Sequence, residues 1–421
     1  MAKLFYELFL LLYAIAFRIA ALFNTKARLG LQGRKNIFLT MKVNHPPSSR
    51  KVVWMHCSSV GEFEQGRPLV ESLKKDYPSI YIVITFFSAS GYEVMKNYKG
   101  ADQIYYLPFD GASNAKKMVD ILNPSMVLWI KYEFWYHYLH EFKIRNIPVL
   151  LVSGIFRNSQ PFFKWYGSLW KEMLSSISYF FVQNESSLKL LSSIAINDNV
   201  LITGDTRFDR VIEIAEKFEP IPIIEKYCEK NRVIVAGSTW EEDETELVHY
   251  IKANPSIKFI IAPHETDPGN IQQMKRNFPN ALLYTDLING PPVDQKEIKN
   301  LLIIDNVGML SRLYHYATIT YVGGGFGADG VHNVLEAAVY GKPVIFGPEY
   351  KKYAEAIGLV ESGGGIPIKN ALELESVLNL LWKQEDVLKT KGKAAEKFVF
   401  SNAGASKKII QFVQENRLLT N

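Results

Sequence analysis

The chain has 421 residues, of which 48% are hydrophobic and 22% are charged. This length and composition exclude a disordered protein and favour two folded domains of about 200 residues each. The net charge of +5 suits an anionic membrane surface or an anionic substrate better than nucleic acid, which is not predicted as a partner. The two cysteines, Cys57 and Cys228, are far apart in the sequence and offer neither a disulfide framework nor a metal motif.

The first predicted element is an apolar helix at residues 4–23. At about 1.5 Å per residue it would be about 30 Å long, the hydrocarbon thickness of a bilayer. Its two charges, Glu7 and Arg18, fall on nearly the same helix face and lie near the ends, where they can reach water. The helix is expected to span the membrane or to lie in its surface. A buried core helix and a cleaved signal peptide are the alternatives.

Basic residues flank this helix unequally. Only Lys3 precedes it, and the residues that follow it include Lys26, Arg28, Arg34, Lys35 and Lys42. Because positive charge stays on the cytoplasmic side of a membrane, the main part of the chain is predicted to be cytoplasmic.

Strands and helices then alternate along the chain. Strands are predicted at residues 51–57, 80–86, 126–130, 148–154, 178–183 and 199–204, with helical patterns between them. This alternation predicts a parallel sheet covered on both faces. Ser58 or Ser59 can cap the helix after the first strand, which places Glu62 in its first turn.

A second alternating block follows residues 218–227, whose two prolines predict an interdomain linker. The predicted divisions are a membrane anchor at 1–25, one Rossmann-like domain at 26–217 and another at 218–421. The tail at 371–419 is predicted to be helical and able to pack back on the first domain. Two Rossmann-like domains facing a cleft form the architecture of the GT-B glycosyltransferases, an α/β fold.

A glycine-rich stretch at residues 321–348 is the most distinctive part of the second block. It is predicted to contain a strand ending at Val322, a loop with five glycines, a helix opening near Asn333 and a strand at 343–346. Glycines allow a ligand to approach the backbone, and a helix N-terminus attracts an anion. The usual dinucleotide and P-loop fingerprints are absent, which favours a nucleotide-sugar phosphate. A capping box between Asn333 and Glu336, which needs no ligand, is the alternative.

Several motifs, taken in order, resemble one family over nearly the whole chain: the 3-deoxy-D-manno-octulosonic acid (Kdo) transferases of lipid A assembly. They are HCSSVGE (56–62), YLPFD (106–110), LVSGIFRNS (151–159), VQNESS (182–187), ITGDTRFD (202–209), AGSTWEEDE (236–244) and VGGGF…GVHNVLEAAVYGKPVIFGP (322–348). The resemblance implies a GT-B enzyme that transfers Kdo from CMP-Kdo to the lipid A precursor, lipid IVA, with inversion and without a metal or other cofactor. It also implies a location at the cytoplasmic face of the inner membrane.

The resemblance also implies catalytic residues. Glu62 corresponds to the family's general base, and a helix N-terminus tends to keep it ionised. Glu133 corresponds to the second glutamate of an ETELWP-like motif, and Arg207 stands where the family has a lysine that steadies the leaving phosphate. The alternatives are that Glu62 is only a favourable first-turn acid, with Glu64 as a rival base, and that Glu133 forms a structural ion pair with Lys131 or another base.

Arg157 is a further candidate cation, for the carboxylate of Kdo or a lipid phosphate, and its alternative is a solvated loop arginine. The donor-binding residues that the resemblance implies are His264, Glu265, Val307, Gly308, Met309, Gly324, Gly325, His332, Asn333, Val334, Leu335 and Glu336. Glu336 would bind the ribose hydroxyls. The chain departs from the family at His264 (usually Arg), Met309 (usually Glu) and Trp240 (usually His), which bears on cytosine recognition.

Two other functions fit parts of the pattern. One is a GT-B transferase of lipid A assembly that uses a UDP-sugar, which the fold allows but the order of motifs disfavours. The other is a catalytically silent membrane scaffold, which the presence of Glu62, Arg207, Asn333 and Glu336 disfavours.

Overall fold

The computed structural model describes residues 2–131, 133–290 and 299–419. The chain forms two compact units: the first contains Met1–Arg210 and Ala403–Asn421, and the second contains Val211–Asn402. The C-terminal segment is therefore part of the first unit.

The first unit is a doubly wound α/β unit. Its elements are α1 (Ala2–Phe23), α2 (Thr25–Gly33), α3 (Ile37–Val43), β1 (Val52–Cys57), α4 (Val60–Asp76), β2 (Tyr81–Phe86), α5 (Ala89–Met95), β3 (Gln103–Tyr106), α6 (Ala112–Leu122), β4 (Met126–Ile130), α7 (Tyr136–Ile144), β5 (Val149–Gly154), α8 (Ser168–Leu174), β6 (Tyr179–Val182), α9 (Glu185–Ser192), β7 (Val200–Ile202), the start of α10 (Thr206–Glu216), and α20 (Ala405–Glu415). The strands pair in parallel in the order β3-β2-β1-β4-β5-β6-β7.

Alternate residues of the first unit's strands enter cores on opposite faces of the sheet. Trp54 and Trp129 belong to one core, whereas Met55 and Ile130 belong to the other. Burial on both faces explains why β1 and β4 are almost continuously apolar. The C-terminal helix α20 contributes Ile409 and other residues to the second of these cores, so it covers one face of this sheet.

The second unit repeats this architecture. Its elements are the rest of α10, α11 (Pro222–Cys228), β8 (Val233–Thr239), α12 (Glu241–Ala253), β9 (Lys258–Pro263), α13 (Pro268–Asn277), β10 (Leu282–Leu283), α14 (Tyr284–Asn289), β11 (Leu301–Ile303), α15 (Leu310–Leu313), β12 (Ile319–Val322), α16 (Leu335–Ala338), β13 (Val344–Phe346), α17 (Ala354–Glu361), β14 (Gly365–Pro367), α18 (Ala371–Lys383) and α19 (Glu385–Ser401). The parallel strand order is β10-β11-β9-β8-β12-β13-β14.

Part of the predicted linker at residues 218–227 is helical. Pro222 occupies the first turn of α11, where its missing N–H costs no helical hydrogen bond. Ile224 and Tyr227 of this helix are buried. Pro222 therefore begins a helix, and Pro220 lies before it.

The apolar helix α1 lies along the surface of the first unit. Tyr6 donates a hydrogen bond of 2.7 Å from Oη to Asp110 Oδ2, and the ring of Phe17 contacts that of Phe109 with centroids 5.1 Å apart. Leu10 is buried on the same helix face, and most other residues of α1 are at least half-exposed. The alternative of a buried core helix is therefore wrong, although by length and composition α1 could cross a membrane.

Candidate active site

The strand order of the first sheet reverses between β1 and β4, and ligands of such sheets bind beyond the carboxyl ends of the strands at this point. Glu62 lies in the first turn of α4, directly after β1. Glu133 lies three residues beyond Ile130, the last residue of β4. The structure thus brings the two predicted catalytic carboxylates to the switch point of this sheet.

Glu62 is held by the turn that begins its helix. Its Oε2 accepts hydrogen bonds from the backbone N–H of Ser58 and, at 2.7 Å, from the Ser58 hydroxyl. Burial raises the pKa of Glu62 above its usual range, the charge of Glu133 adds to the rise, and the Ser58 hydrogen bonds oppose it. The net direction is opposite to the helix-terminus effect expected from the sequence. A carboxylate with a raised pKa is a stronger base.

Glu64, the rival base, is engaged by two arginines. Its Oε2 lies 2.5 Å from Arg210 Nε, and its Oε1 lies 3.4 Å from Arg67 Nη1. Carboxylate oxygens paired with guanidinium groups are weak proton acceptors. Glu62 therefore has the better environment for a base.

Glu133 contacts a buried histidine. His56 Nε2 lies 2.9 Å from Glu133 Oε2, and Trp135 Nε1 donates to the same oxygen at 3.2 Å. The charge of Lys131 acts on Asp205. The alternative was a structural ion pair of Glu133 with Lys131 or another base, and the structure shows a contact of this kind with His56. His56 lies in the quoted HCSSVGE motif, but no pattern in the sequence indicated its contact with Glu133.

Arg207 forms an ion pair with Asp205, a carboxylate that no sequence pattern indicated as functional. Arg207 Nη2 lies 2.6 Å from Asp205 Oδ2, and the backbone N–H of Arg207 donates to Oδ1 at 2.9 Å. Burial opposes ionisation of Asp205, but the charges of Arg207 and Lys131 lower its pKa below the usual range. Gln65 Nε2 reaches Asp205 Oδ1 at 3.3 Å, which ties this cluster to the helix that carries Glu62.

Two residues at this edge have left-handed backbones without being glycine. They are Lys131 (φ 57°), directly after β4, and Ser153 (φ 52°), in β5. Such conformations cost energy and cluster at functional sites. The Ser153 hydroxyl lies 2.9 Å from Thr206 Oγ1. The left-handed residue of β5 thus forms a hydrogen bond with the residue that precedes Arg207.

Arg157 lies in the exposed loop after β5. Its backbone N–H donates to Gln160 Oε1 at 2.9 Å. The structure shows no contact between its side chain and Glu62, Glu133 or Arg207. Its role as a cation for Kdo or a lipid phosphate stays a prediction.

In the second unit, three aromatic rings stack at the carboxyl edge of the sheet. The ring centroids of His264 and Trp240 are 4.6 Å apart, and those of His264 and His332 are 4.5 Å apart. Trp240 Nε1 donates a hydrogen bond of 2.9 Å to His332 Nε2. Burial, with the charge of His264, lowers the pKa of His332 to about 4, so this ring is neutral near pH 7. No sequence pattern indicated this stack.

The glycine loop is crowded by its own backbone. A Cβ on Gly323 would lie 2.3 Å from Ser238 O, and one on Gly325 would lie 2.6 Å from the backbone nitrogen of Gly347. Gly324 has a left-handed φ of 87° and donates its N–H to Asp243 Oδ2 at 2.8 Å. These glycines are required by the packing of the loop whether or not a ligand approaches.

The helix predicted to open near Asn333 is the single turn α16, which begins at Leu335. The Asn333 side chain accepts from Leu335 N–H at 3.2 Å and donates to Glu336 Oε1 at 2.9 Å. The N-cap residue of α16 is Val334, which has no side-chain cap hydrogen bond, so Asn333 does not cap the helix as the alternative of a capping box requires. A local side-chain hydrogen bond is present instead. It links Asn333 and Glu336 and leaves a short helix behind the glycine loop.

The other predicted donor residues follow neighbouring strands on the same edge. Val307 is exposed, Gly308 has a left-handed φ of 92°, and Met309 is buried before α15. Exposed Glu265 lies in the loop after β9, whereas Val334 and Leu335 are buried and could meet a ligand only through their backbone. Within the described residues there is no cluster of three or more His, Cys, Asp or Glu side chains that could hold a metal ion.

Comparison with known proteins identifies the first unit. Residues 25–210 match the family described as 3-deoxy-D-manno-octulosonic-acid transferase (kdotransferase). The 3-deoxy-D-manno-octulosonic acid transferase of Rickettsia felis is 26% identical over 376 residues, which cover 87% of this chain and 79% of the relative. The chain carries a Kdo transferase domain at residues 25–210 and is 24–26% identical to several 3-deoxy-D-manno-octulosonic acid transferases over 85–87% of its length. It is therefore a glycosyltransferase, as the motifs predicted.

Two further likenesses concern a longer relative and a solved structure. A bifunctional glycosyltransferase/methyltransferase of Fusobacterium nucleatum is 27% identical over 382 residues, which cover 87% of this chain but only 55% of that longer protein. The UDP-GlcNAc 2-epimerase of Neisseria meningitidis, solved with UDP-GlcNAc, matches with a TM-score of 0.62 and 18% identity over 87% of this chain and 100% of the other. The second likeness concerns the fold alone and agrees with the predicted GT-B class.

Proposed function

We propose that this Kdo transferase moves Kdo from CMP-Kdo to lipid IVA by a single inverting displacement that uses no metal ion. The observation that carries the proposal is the pair Glu62 and Glu133 at the switch point of a Kdo transferase domain, with the pKa of Glu62 raised by burial. A buried carboxylate beside a second one is an environment suited to proton abstraction from a sugar hydroxyl.

In the proposed step, a hydroxyl oxygen of the acceptor attacks the anomeric carbon of Kdo. The bond between that carbon and the phosphate oxygen of CMP breaks, the new glycosidic bond forms on the opposite face, and the hydroxyl proton passes to Glu62. CMP leaves with the electron pair of the broken bond. Arg207, which contacts Asp205, is the proposed cation for the leaving phosphate, and the charge of Lys131 also acts at this carboxylate.

Glu133 has the wrong charge to stabilise a leaving phosphate. Both of its hydrogen-bond donors, His56 and Trp135, contact Oε2, and Oε1 has no donor among the described residues. We assign Oε1 to orienting a hydroxyl group of a substrate. The charge of Glu133 also contributes to the raised pKa of Glu62.

The proposed donor site is the carboxyl edge of the second unit's sheet. The flat faces of the Trp240, His264 and His332 stack suit a planar ring system, and the loop around Gly324 offers a narrow backbone surface. Glu336, fixed by Asn333, is the candidate for the ribose hydroxyls.

For the location, we propose that α1 lies in the cytoplasmic surface of the inner membrane and does not cross it. Tyr6, Leu10, Tyr13, Phe17 and Ala21 form one stripe of the helix, spaced by three or four residues, and this stripe is the less exposed one. His137 Nε2 lies 2.8 Å from Glu7 Oε1 beside it. The remaining face is apolar and exposed; it includes Leu4, Leu8, Leu11, Leu12, Ile15, Ile19 and Leu22. A helix attached lengthwise in this way can bury that face in one leaflet.

The decisive test is to incubate the purified protein with CMP-Kdo and lipid IVA and to determine the mass of the product. A gain of one or more Kdo units supports donor, acceptor and reaction together. Product from a UDP-sugar but not from CMP-Kdo would show that the donor is a UDP-sugar. CMP binding without any transfer would favour the catalytically silent membrane scaffold. Full activity in excess EDTA is expected, and its loss would overturn the metal-free mechanism.

A flotation assay tests the location. Vesicles with anionic lipids should carry the wild-type protein, and Leu8→Lys with Leu12→Lys should weaken this binding because both side chains are exposed. Resistance of the wild-type protein to extraction by high salt and alkali would indicate a spanning helix instead.

A further inference from the structure

We propose that His56 is a positioning residue for this reaction: through Nε2–H it fixes the Glu133 carboxylate so that Oε1 faces the substrate. This inference rests on the proposed function. Its evidence is a chain of buried hydrogen bonds that begins in the core of the first unit and ends at the switch point.

His56 lies in β1, and its side chain is completely buried. The ring lies against Trp129 of the neighbouring strand, with centroids 4.4 Å apart. Its two nitrogens are both engaged: Nδ1 lies 2.9 Å from Thr85 Oγ1 and Nε2 lies 2.9 Å from Glu133 Oε2. Glu133 itself is 20% exposed, so it is the member of the chain that reaches the surface.

The hydrogen-bond partners determine the tautomer of His56. Trp54 Nε1 can only donate, and it donates to Thr85 Oγ1 at 2.8 Å. The hydroxyl hydrogen of Thr85 is then available to His56 Nδ1, which must accept it. The ring proton therefore lies on Nε2 and is donated to Glu133. In this arrangement each hydrogen bond of the buried chain has one donor and one acceptor.

The contact with His56 has two consequences for Glu133. His56 contacts only Oε2 of Glu133, whereas the arginine partners of Glu64 engage both of its oxygens. A ring clamped between Trp129 and two hydrogen bonds also fixes the direction of the Nε2–H bond, and with it the rotamer of the carboxylate. Supporting hydrogen bonds of this kind hold catalytic groups within the narrow geometry that chemistry requires.

A matched pair of variants separates positioning from simple structural support. His56→Asn keeps a polar atom near the Nδ1 position, within reach of Thr85, but loses the contact with Glu133. His56→Gln reaches the Nε2 position and keeps an N–H donor for Glu133. We expect kcat to fall about 10–100-fold in His56→Asn and to stay within about fivefold of wild type in His56→Gln, with the KM for CMP-Kdo unchanged in both.

The same pair in a Glu133→Gln background completes the test. If His56 acts through Glu133, His56→Asn should then change kcat by less than about threefold, because the group it positions is already altered. Met55→Leu, one residue earlier on the opposite face of β1, controls for disturbance of the strand and should leave kcat unchanged.

Equal kcat values for His56→Asn and His56→Gln would overturn the inference, as would an undiminished loss in the Glu133→Gln background. Absence of Kdo transfer by the wild-type protein would overturn the proposed function, and the role of His56 with it. Transfer by the wild type with no difference between the two variants would overturn the role of His56 alone.

Discussion

The two sheets of this protein share one architecture, yet their carboxyl edges have different chemistry. The first edge carries Glu62 and Glu133, each held by its own hydrogen bonds, and the ion pair of Asp205 with Arg207. The second carries stacked rings around His264, close backbone contacts of glycines, and a buried carboxylate used by internal N–H donors. This contrast supports the proposed division, in which the first unit supplies charge and proton transfer and the second supplies a surface for donor binding.

The largest expected effect comes from Glu62→Gln. Turnover should fall by about 10²–10⁴-fold because an amide cannot accept the hydroxyl proton, whereas CMP affinity should stay unchanged. Single-turnover rates and CMP titration measure the two quantities. Glu64→Gln is the matched control, and normal turnover by Glu62→Gln would move the base to another residue.

Arg207→Gln should reduce kcat by about 100-fold because it removes one cation of the cluster around Asp205. Arg207→Lys keeps the positive charge but loses the contact through two guanidinium nitrogens. Its kcat should lie between those of Arg207→Gln and the wild type. Loss of the Arg207 charge also leaves the buried Asp205 carboxylate with less electrostatic stabilisation. Thermal unfolding should therefore be recorded for both variants. Equal kcat for Arg207→Gln and the wild type would exclude this residue from the reaction.

Substitution at the second edge should affect binding rather than rate. Trp240→Ala removes one ring of the stack, and we expect the Kd for CMP to rise about fivefold to tenfold, with kcat at saturating donor little changed. Trp382→Ala, a half-buried tryptophan of α18, is the control. A loss of kcat without a change in Kd would contradict the division between the two edges.

The smallest effect on activity is expected from Glu244→Gln, which concerns stability. Burial raises the pKa of Glu244 to about 7, and Thr239 donates to it at 3.1 Å. The folded state thus holds a proton that the unfolded state has released, so stability falls as pH rises from about 4.5 to about 7 and then levels off. The neutral variant should be more stable by up to about 3 kcal/mol at pH 8 and unchanged at pH 4.

Thermal unfolding of wild type and Glu244→Gln at the two pH values measures this difference. The same gain at both values would mean that Glu244 is not the titrating group. A marked loss of transfer by Glu244→Gln would also break the comparison, because it would place a functional charge in the second unit.

Local patterns in the sequence were enough to predict the fold class. An apolar run predicted β1 at residues 51–57, and the structure has this strand at Val52–Cys57. The glycine-rich stretch predicted that β12 ends at Val322, and the structure has this strand at Ile319–Val322. Ser59 caps α4 and accepts from Glu62 N–H at 3.4 Å, as its position before the helix indicated. Such features depend on periodicity and neighbouring residues, which the sequence displays directly.

The sequence by itself therefore determined the two parallel sheets, the family and the candidate carboxylates. Only the tertiary structure decided their partners: His56 for Glu133, Asp205 for Arg207, and His264 between Trp240 and His332. It also reversed the expected direction of the Glu62 pKa shift, because burial outweighs the effect of the helix terminus. The contacts of His56 with Glu133 and of the three stacked rings join residues far apart in the chain, and their geometry follows from strand order and packing, which no local pattern encodes. The contact of Asp205 with Arg207 is local, but it depends on a side-chain conformation that the sequence does not display.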